Sequence, residues 1–187
     1  MNLPKLILAS GSPRRAEILN AVGWEFEKIV PEVDESQLED EIPEDYVIRV
    51  SKKKSDAVAS HHPEKLILAA DTVVVIENRI LGKPIDRDDA KSMIAQLSGR
   101  SHEVLTGIAL SQNGKTETAV QRTEVKFSSL SEAETAFLVE NGSPLDKAGA
   151  YAVQAQAALF IEKIDGDYWN VVGLPINLVY RLAAEFG

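Results

Sequence analysis

The stretch KLILAADTVVVI, residues 65–76, constrains the fold more than any other part of the chain. After Lys65, only Asp71 and Thr72 interrupt an apolar run, so it reads as one long buried strand. An ionised carboxylate inside such a strand is costly unless a cation or a metal pairs with it. Asp71 therefore asks for a counter-charge; the plain alternative is a carboxylate capping a turn. Asp71 also follows LILAA, and ligand sites in open α/β sheets gather outside the carboxyl ends of strands.

Around this run the elements are mixed. Leu6–Ala9 reads as a short apolar strand. Ser12 is placed as an N-cap and Pro13 at the first helical position, with Ile18, Leu19 and Val22 as an apolar stripe ending at Gly23. A second helix follows Pro43, with Val47, Val50, Lys54 and Ala57 on one face. Asp86 caps a third, in which Ala90, Met93, Ile94 and Leu97 fall at helical spacing. HEVLTGIAL, the turn at Asn113-Gly114 and TETAVQRTEVKF read as a β-hairpin. Ser131 and Glu134 form a capping box. AALFIEKI, residues 157–164, reads as a strand, and the last helix follows Pro175 with Ile176, Val179, Leu182 and Phe186 inward. Local hairpins together with helix-linked strands predict an α/β (mixed α+β) fold on a mixed sheet, as a single domain over residues 1–187.

Composition removes several function classes. The chain has no cysteine, which excludes a disulfide framework and a thiolate zinc site. Three histidines, two of them adjacent at His61 and His62, give no basis for an all-histidine metal site. No apolar run is long enough to span a bilayer, and MNLPKLILAS lacks the form of a signal peptide. The expectation is a cytoplasmic protein. The net charge is −9, whereas binding to a nucleic-acid backbone needs a positive surface. An anionic ligand must therefore meet a local cluster of cations.

LASGSPRR, residues 8–15, supplies one: a strand, a glycine turn and a helix start, where free N–H groups and the helix dipole attract anions. Arg14 and Arg15 add bidentate donors suited to phosphate. Cations are disfavoured at a helix N-terminus, so a negative partner is missing from the local sequence. The plain alternative is an exposed first turn with Glu17 pairing locally. Lys54 shares an inward stripe, where it either snorkels to the surface or meets a buried anion. Asp34 and Glu35 open an acidic segment continuing through Glu39, Asp40 and Glu41; most of it reads as a solvated loop, with one carboxylate available to a metal. Lys83 lies between a glycine and a proline in LGKP, ordinarily a solvated turn. Together these residues describe a polyphosphate site. Magnesium takes one or two carboxylates plus substrate oxygens, and lysines and arginines neutralise phosphoryl charge. The Walker pattern and G-x-G-x-x-G are both absent.

In order and spacing, LASGSPRR, VDE, ADTVV, LGKP, LSGRSHEVLTGIAL, PLDKAGAY and GDYWNVVGLP resemble the Maf-like nucleotide pyrophosphatases over nearly the whole chain. The resemblance implies hydrolysis of nucleoside triphosphates to monophosphate and pyrophosphate with a divalent metal, Mg2+ or Mn2+. It implies a fold like that of inosine triphosphate pyrophosphatases: a mixed twisted sheet with flanking helices, in two lobes around a cleft. It implies catalytic roles for Asp71 (acid/base), Lys54 and Lys83. Ser10, Arg14, Arg15, Thr72 and Gln154 are implied as substrate contacts, and Glu35 and Asp71 as metal contacts. A homodimer without stable nucleic-acid or membrane binding is expected.

DKAGAYAVQ and DYWNVVGLP resemble the branch acting on dTTP and UTP, with modified pyrimidine triphosphates as further substrates to be kept out of nucleic acids. The alternative is a nucleotide-binding regulator of septum formation with little turnover. One departure stands out: the branch reads Q-G-x-G where this chain has Gln154, Ala155, Gln156 and Ala157. Alanine at a position of positive φ would be strained, and it would narrow a base pocket.

Overall fold

The long apolar run is a strand, and its neighbours along the chain are both strands and helices. The computed structural model describes residues 3–186. In chain order the elements are β1 (Leu6–Ala9), α1 (Pro13–Ala21), β2 (Phe26–Ile29), α2 (Pro43–Ala59), β3 (Leu66–Ile76), β4 (Arg79–Leu81) and α3 (Arg87–Leu97). Then come β5 (Ser101–Gln112), β6 (Lys115–Phe127), α4 (Glu132–Asn141), β7 (Ile161–Asp165), α5 (Tyr168–Val172) and α6 (Ile176–Ala183). The strand order is β2-β1-β3-β5-β6-β7, with β4 on β3. β1 runs parallel to both β2 and β3, while the β3–β4 and β6–β7 pairs are antiparallel. The sheet is therefore mixed, as expected.

Among the described residues the chain divides into two compact units. One takes residues 3–71, 106–121 and 173–186, the other 72–105 and 122–172. β3, β5 and β6 contribute residues to both.

In the first unit, the parallel register sets Leu6 against both Phe26 and Leu66. Ile7, Ala9, Ile67 and Ala69 form an apolar cluster with Val58 of α2. Pro43 starts α2 with its ring at the first helical position, and Glu44 and Asp45 favour the positive end of the helix dipole. A Cβ on Gly107 of β5 would lie 2.3 Å from the Val47 carbonyl oxygen. Glycine there lets α2 settle directly on the strand, and that close seat turns Val47, Val50 and Lys54 inward.

In the second unit, Glu77 and Asn78, both at positive φ, turn β3 into β4. Asp86 caps α3 by accepting from the Asp89 N–H at 2.8 Å, and the Ser131–Glu134 capping box closes the start of α4. Gly149 sits at φ 65°, where a Cβ would lie 2.7 Å from Val74 Cγ2.

Four local expectations are corrected. Ser12 occupies the N-cap position, but its side chain caps nothing; the Ser10 hydroxyl accepts the Ser12 N–H at 3.2 Å instead. Val22 is 45% exposed because α1 ends one residue earlier, so the helical period no longer aims it inward. Residues 156–159 form a 3-10 turn, leaving only Ile161–Asp165 as strand. The Ala158 and Phe160 N–H groups are already bonded to the carbonyls of Ala155 and Ala157, so they cannot join a ladder. In the last helix, Val179 and Ala183 are buried, while Leu182 and Phe186 are half-buried. The three-residue β4 went unread because it is too short for any period to show.

Candidate functional site

The counter-charge demanded by Asp71 is Lys54. Its Nζ lies 2.7 Å from Asp71 Oδ1, and both side chains are only 10% exposed. Lys54 therefore does not snorkel, because the inward stripe of α2 carries it to a carboxylate. The same Nζ lies 3.0 Å from Glu35 Oε2, on a side chain 47% exposed. One ammonium thus joins a buried carboxylate to a half-exposed one. Burial pushes the Asp71 carboxyl above the ordinary aspartate value, and Glu35 adds to the rise. The charge and hydrogen bond of Lys54, then the charge of Arg15, pull it back.

Arg15 is buried on the same face of α1 as Ile18 and Leu19. Its Nε donates to the Gly173 carbonyl at 2.9 Å and its Nη1 to Ser10 Oγ at 2.9 Å. Burial lowers its pKa, with Asp71 the main opposing influence. A guanidinium remains charged regardless. Part of the missing negative partner at this helix start is thus inside the protein: a carbonyl oxygen and the field of Asp71. Arg14 is half-buried beside it. The first unit therefore gathers Ser10, Arg14, Arg15, Glu35, Lys54 and Asp71 from the β1–α1 turn, α1, the loop before α2, α2 and β3. Such a set can hold a polyanion, and its buried carboxylate can accept a proton.

Glu35 and Asp71 also bear on the implied divalent cation. Both are hard oxygen donors that reach one point, and each keeps a second oxygen beyond the one on Lys54. Two carboxylates are the protein share of a magnesium site completed by substrate phosphates. Among the described residues no group of three or more histidine, aspartate or glutamate ligands gathers. The residues present fit a cation shared with a phosphate substrate.

Thr72, Lys83 and Gln154 belong to the second unit. Thr72 is half-buried and, by strand alternation, faces away from Asp71. Lys83 is exposed between Gly82 and the buried Pro84; the Gly82 carbonyl accepts from the Gly149 N–H at 3.0 Å, tying LGKP to DKAGAY. Gln154 is exposed, three residues after Tyr151. The Tyr151 hydroxyl and His102 Nε2 are 2.7 Å apart, and Phe127 packs edge-on to Tyr151 at 5.0 Å between ring centroids. Burial pushes His102 down to about 4 and the Tyr151 phenol well above its usual value, so this contact is between neutral groups. Ala155 has φ −125°, and neither it nor Ala157 is among the positive-φ residues. The strain expected at these alanines does not arise.

Sequence reasoning missed one set of residues. Glu41, placed in a solvated acidic run, has a side chain only 7% exposed and is forked by Arg49. Tyr46, Arg49 and Lys53 of α2 all donate to the loop carrying Glu35. Their spacing along one helix face was the available signal.

A family model described as "Maf-like protein" matches residues 5–186. A protein of Symbiobacterium thermophilum named dTTP/UTP pyrophosphatase is 46% identical over 185 residues, covering 99% of this chain and 95% of that protein. One of the same name from Bacillus cereus is 45% identical over 185 residues, covering 99% and 91%. Among solved structures, the Staphylococcus aureus Ham1 protein is similar with a TM-score of 0.56 at 14% identity, covering 98% of this chain and 100% of that one. At that identity the likeness speaks for the fold alone.

Proposed function

The chain belongs to the Maf-like protein family, and on that premise we propose that it hydrolyses dTTP and UTP to the nucleoside monophosphate and pyrophosphate. The observation that carries this reading is the buried Asp71–Lys54 pair, with Arg15 behind it and Glu35 at its edge. Water attacks the anhydride between the α- and β-phosphates. A P–O bond forms to the water oxygen, the bridging P–O bond breaks, and pyrophosphate leaves with the electron pair. Asp71 takes the water proton; burial makes it a better base than a solvated aspartate, while Lys54 keeps it ionised. Lys54, Arg15 and Arg14 neutralise charge on the phosphoryl oxygens, joined in this reading by Lys83. Glu35 and Asp71 would hold Mg2+ or Mn2+ together with phosphate oxygens, and that cation would add further charge neutralisation.

Ser10 orients Arg15 and borders the phosphate site. Gln154 reads the ring N–H and neighbouring carbonyl common to thymine and uracil, since an amide offers one donor face and one acceptor. Thr72 accompanies it in substrate choice. The reading includes a cytoplasmic homodimer; no helix among the described residues is long and apolar enough to cross a membrane. Light scattering of the purified protein tests the dimer.

The deciding experiment is pyrophosphate release from a panel of nucleoside triphosphates, including modified pyrimidines, with and without magnesium. The expected result is release that needs the metal and is fastest with dTTP, UTP or a modified pyrimidine. Binding without turnover would favour a nucleotide-responsive regulator instead.

A further inference from the structure

Tyr46, Arg49 and Lys53 lie on α2 at spacings of three and four, which places them on one face of the helix. Each donates to a backbone carbonyl, and the three carbonyls are consecutive. Lys53 Nζ donates to Asp34 O at 3.2 Å, Tyr46 Oη to Glu35 O at 2.9 Å, and Arg49 Nη2 to Ser36 O at 2.9 Å. Arg49 is itself fixed. Its Nε and Nη2 fork the Glu41 carboxylate at 2.5 and 2.7 Å, and its guanidinium lies over the Tyr46 ring at 5.5 Å. Glu41 Oε2 also accepts from the Leu38 N–H at 3.1 Å, and Asp34 Oδ1 accepts from the Ser36 N–H at 2.9 Å. The backbone is thus held at Glu35 and at both neighbours.

A loop glutamate with a half-exposed side chain ordinarily samples many rotamers, and ordering it costs conformational entropy. Here the ordering is supplied by the same helix that carries Lys54, the group Glu35 meets. We infer that Tyr46, Arg49 and Lys53 are positioning residues, which aim the Glu35 carboxylate at the Lys54–Asp71 pair. This rests on the reading of that cluster as the phosphate and metal site. Lys53, with the longest and most exposed contact, contributes least.

A tether that only stabilised the loop would act independently of what Glu35 does, so the test is a double-mutant cycle. Tyr46→Phe removes one hydroxyl, Arg49→Met removes the fork but keeps the stem, and each is made alone and with Glu35→Gln. The cycle is measured on whichever triphosphate the parent enzyme turns over, so an error in the dTTP/UTP assignment leaves it readable. Second-layer partners of metal ligands typically contribute ~10–100-fold to affinity or activity. Tyr46→Phe and Arg49→Met are therefore expected to lower kcat by about 10-fold, with KM for the nucleotide little changed. Neither should cost anything further in the Glu35→Gln background. Mn2+ binding to the protein alone, read by electron paramagnetic resonance, should weaken by a similar factor in Tyr46→Phe. Losses that multiply with Glu35→Gln overturn the inference, as does a Tyr46→Phe protein that binds Mn2+ as the parent does. If no triphosphate is turned over, the proposed function falls and the Mn2+ titration alone decides this inference.

Discussion

The first unit buries a charged cluster and the second a neutral one. Asp71, Lys54 and Arg15 keep full charges out of water, while His102 and Tyr151 share one neutral hydrogen bond beside Phe127. Burying ions is expensive, and well-packed apolar residues would often serve stability as well or better. A neutral pair obtains a fixed geometry at less desolvation cost. On the proposed reading, the charges of the first cluster act on a ligand, while the neutral second cluster packs three residues before Gln154 in the chain.

Lys54→Met should break the comparison most visibly. It leaves Asp71 buried without its nearest cation, which costs about 3–5 kcal/mol when a buried pair loses one partner. Urea unfolding of the variant at pH 7 should show that loss, and pyrophosphate release should vanish with it. Adding Asp71→Asn to Lys54→Met should recover part of the stability and none of the turnover, because the stranded charge is then gone.

The neutral cluster gives the next largest effect, through pH. His102 is pushed from 6.5 down to about 4, so the unfolded chain binds the extra proton first. Its contribution to stability is complete above pH 6.5 and is lost as pH falls towards 4, by about 3 kcal/mol in total. Imidazole resonances of His102 that titrate below pH 5 would agree with this. Titration near 6.5 would show that the ring is not held neutral. Tyr151→Phe is a milder change, which leaves His102 Nε2 without its hydroxyl. It should cost about 1–3 kcal/mol in urea unfolding while kcat stays near that of the parent.

The two clusters also differ in how far the sequence revealed them. Asp71 and Lys54 each break an apolar pattern, one in a strand and one on a helix stripe; each break called for an opposite charge, but only the structure shows that the two answer each other. The inward turn of Arg15 was half legible, since it stands three and four residues before Ile18 and Leu19. Its partner was not, because the Gly173 carbonyl lies 158 residues away and a backbone oxygen carries no residue-type signal. Glu41 was hidden by its company; five acidic residues in an eight-residue stretch read as solvated, and only Arg49, nearly two turns into α2, explains why the side chain of this one is buried. Ser12 carries the N-cap signal but makes no side-chain cap, while the Ser10 hydroxyl accepts from both the Ser12 N–H and Arg15 Nη1, contacts that no local capping pattern announces. The sheet order was beyond local pattern, since β3 pairs with β1 across two intervening helices and a strand.

The central claim is that the buried charge at Asp71 performs the chemistry rather than supporting the fold. Asp71→Asn keeps the shape and removes the charge and the proton acceptor. Single-turnover pyrophosphate release should be followed with enzyme in excess over the preferred triphosphate at saturating magnesium, beside urea unfolding of the same protein. The account predicts a fall in rate of ~10²–10⁴-fold, with the variant still folded and still binding nucleotide. A variant that releases pyrophosphate at the parent's rate would contradict it.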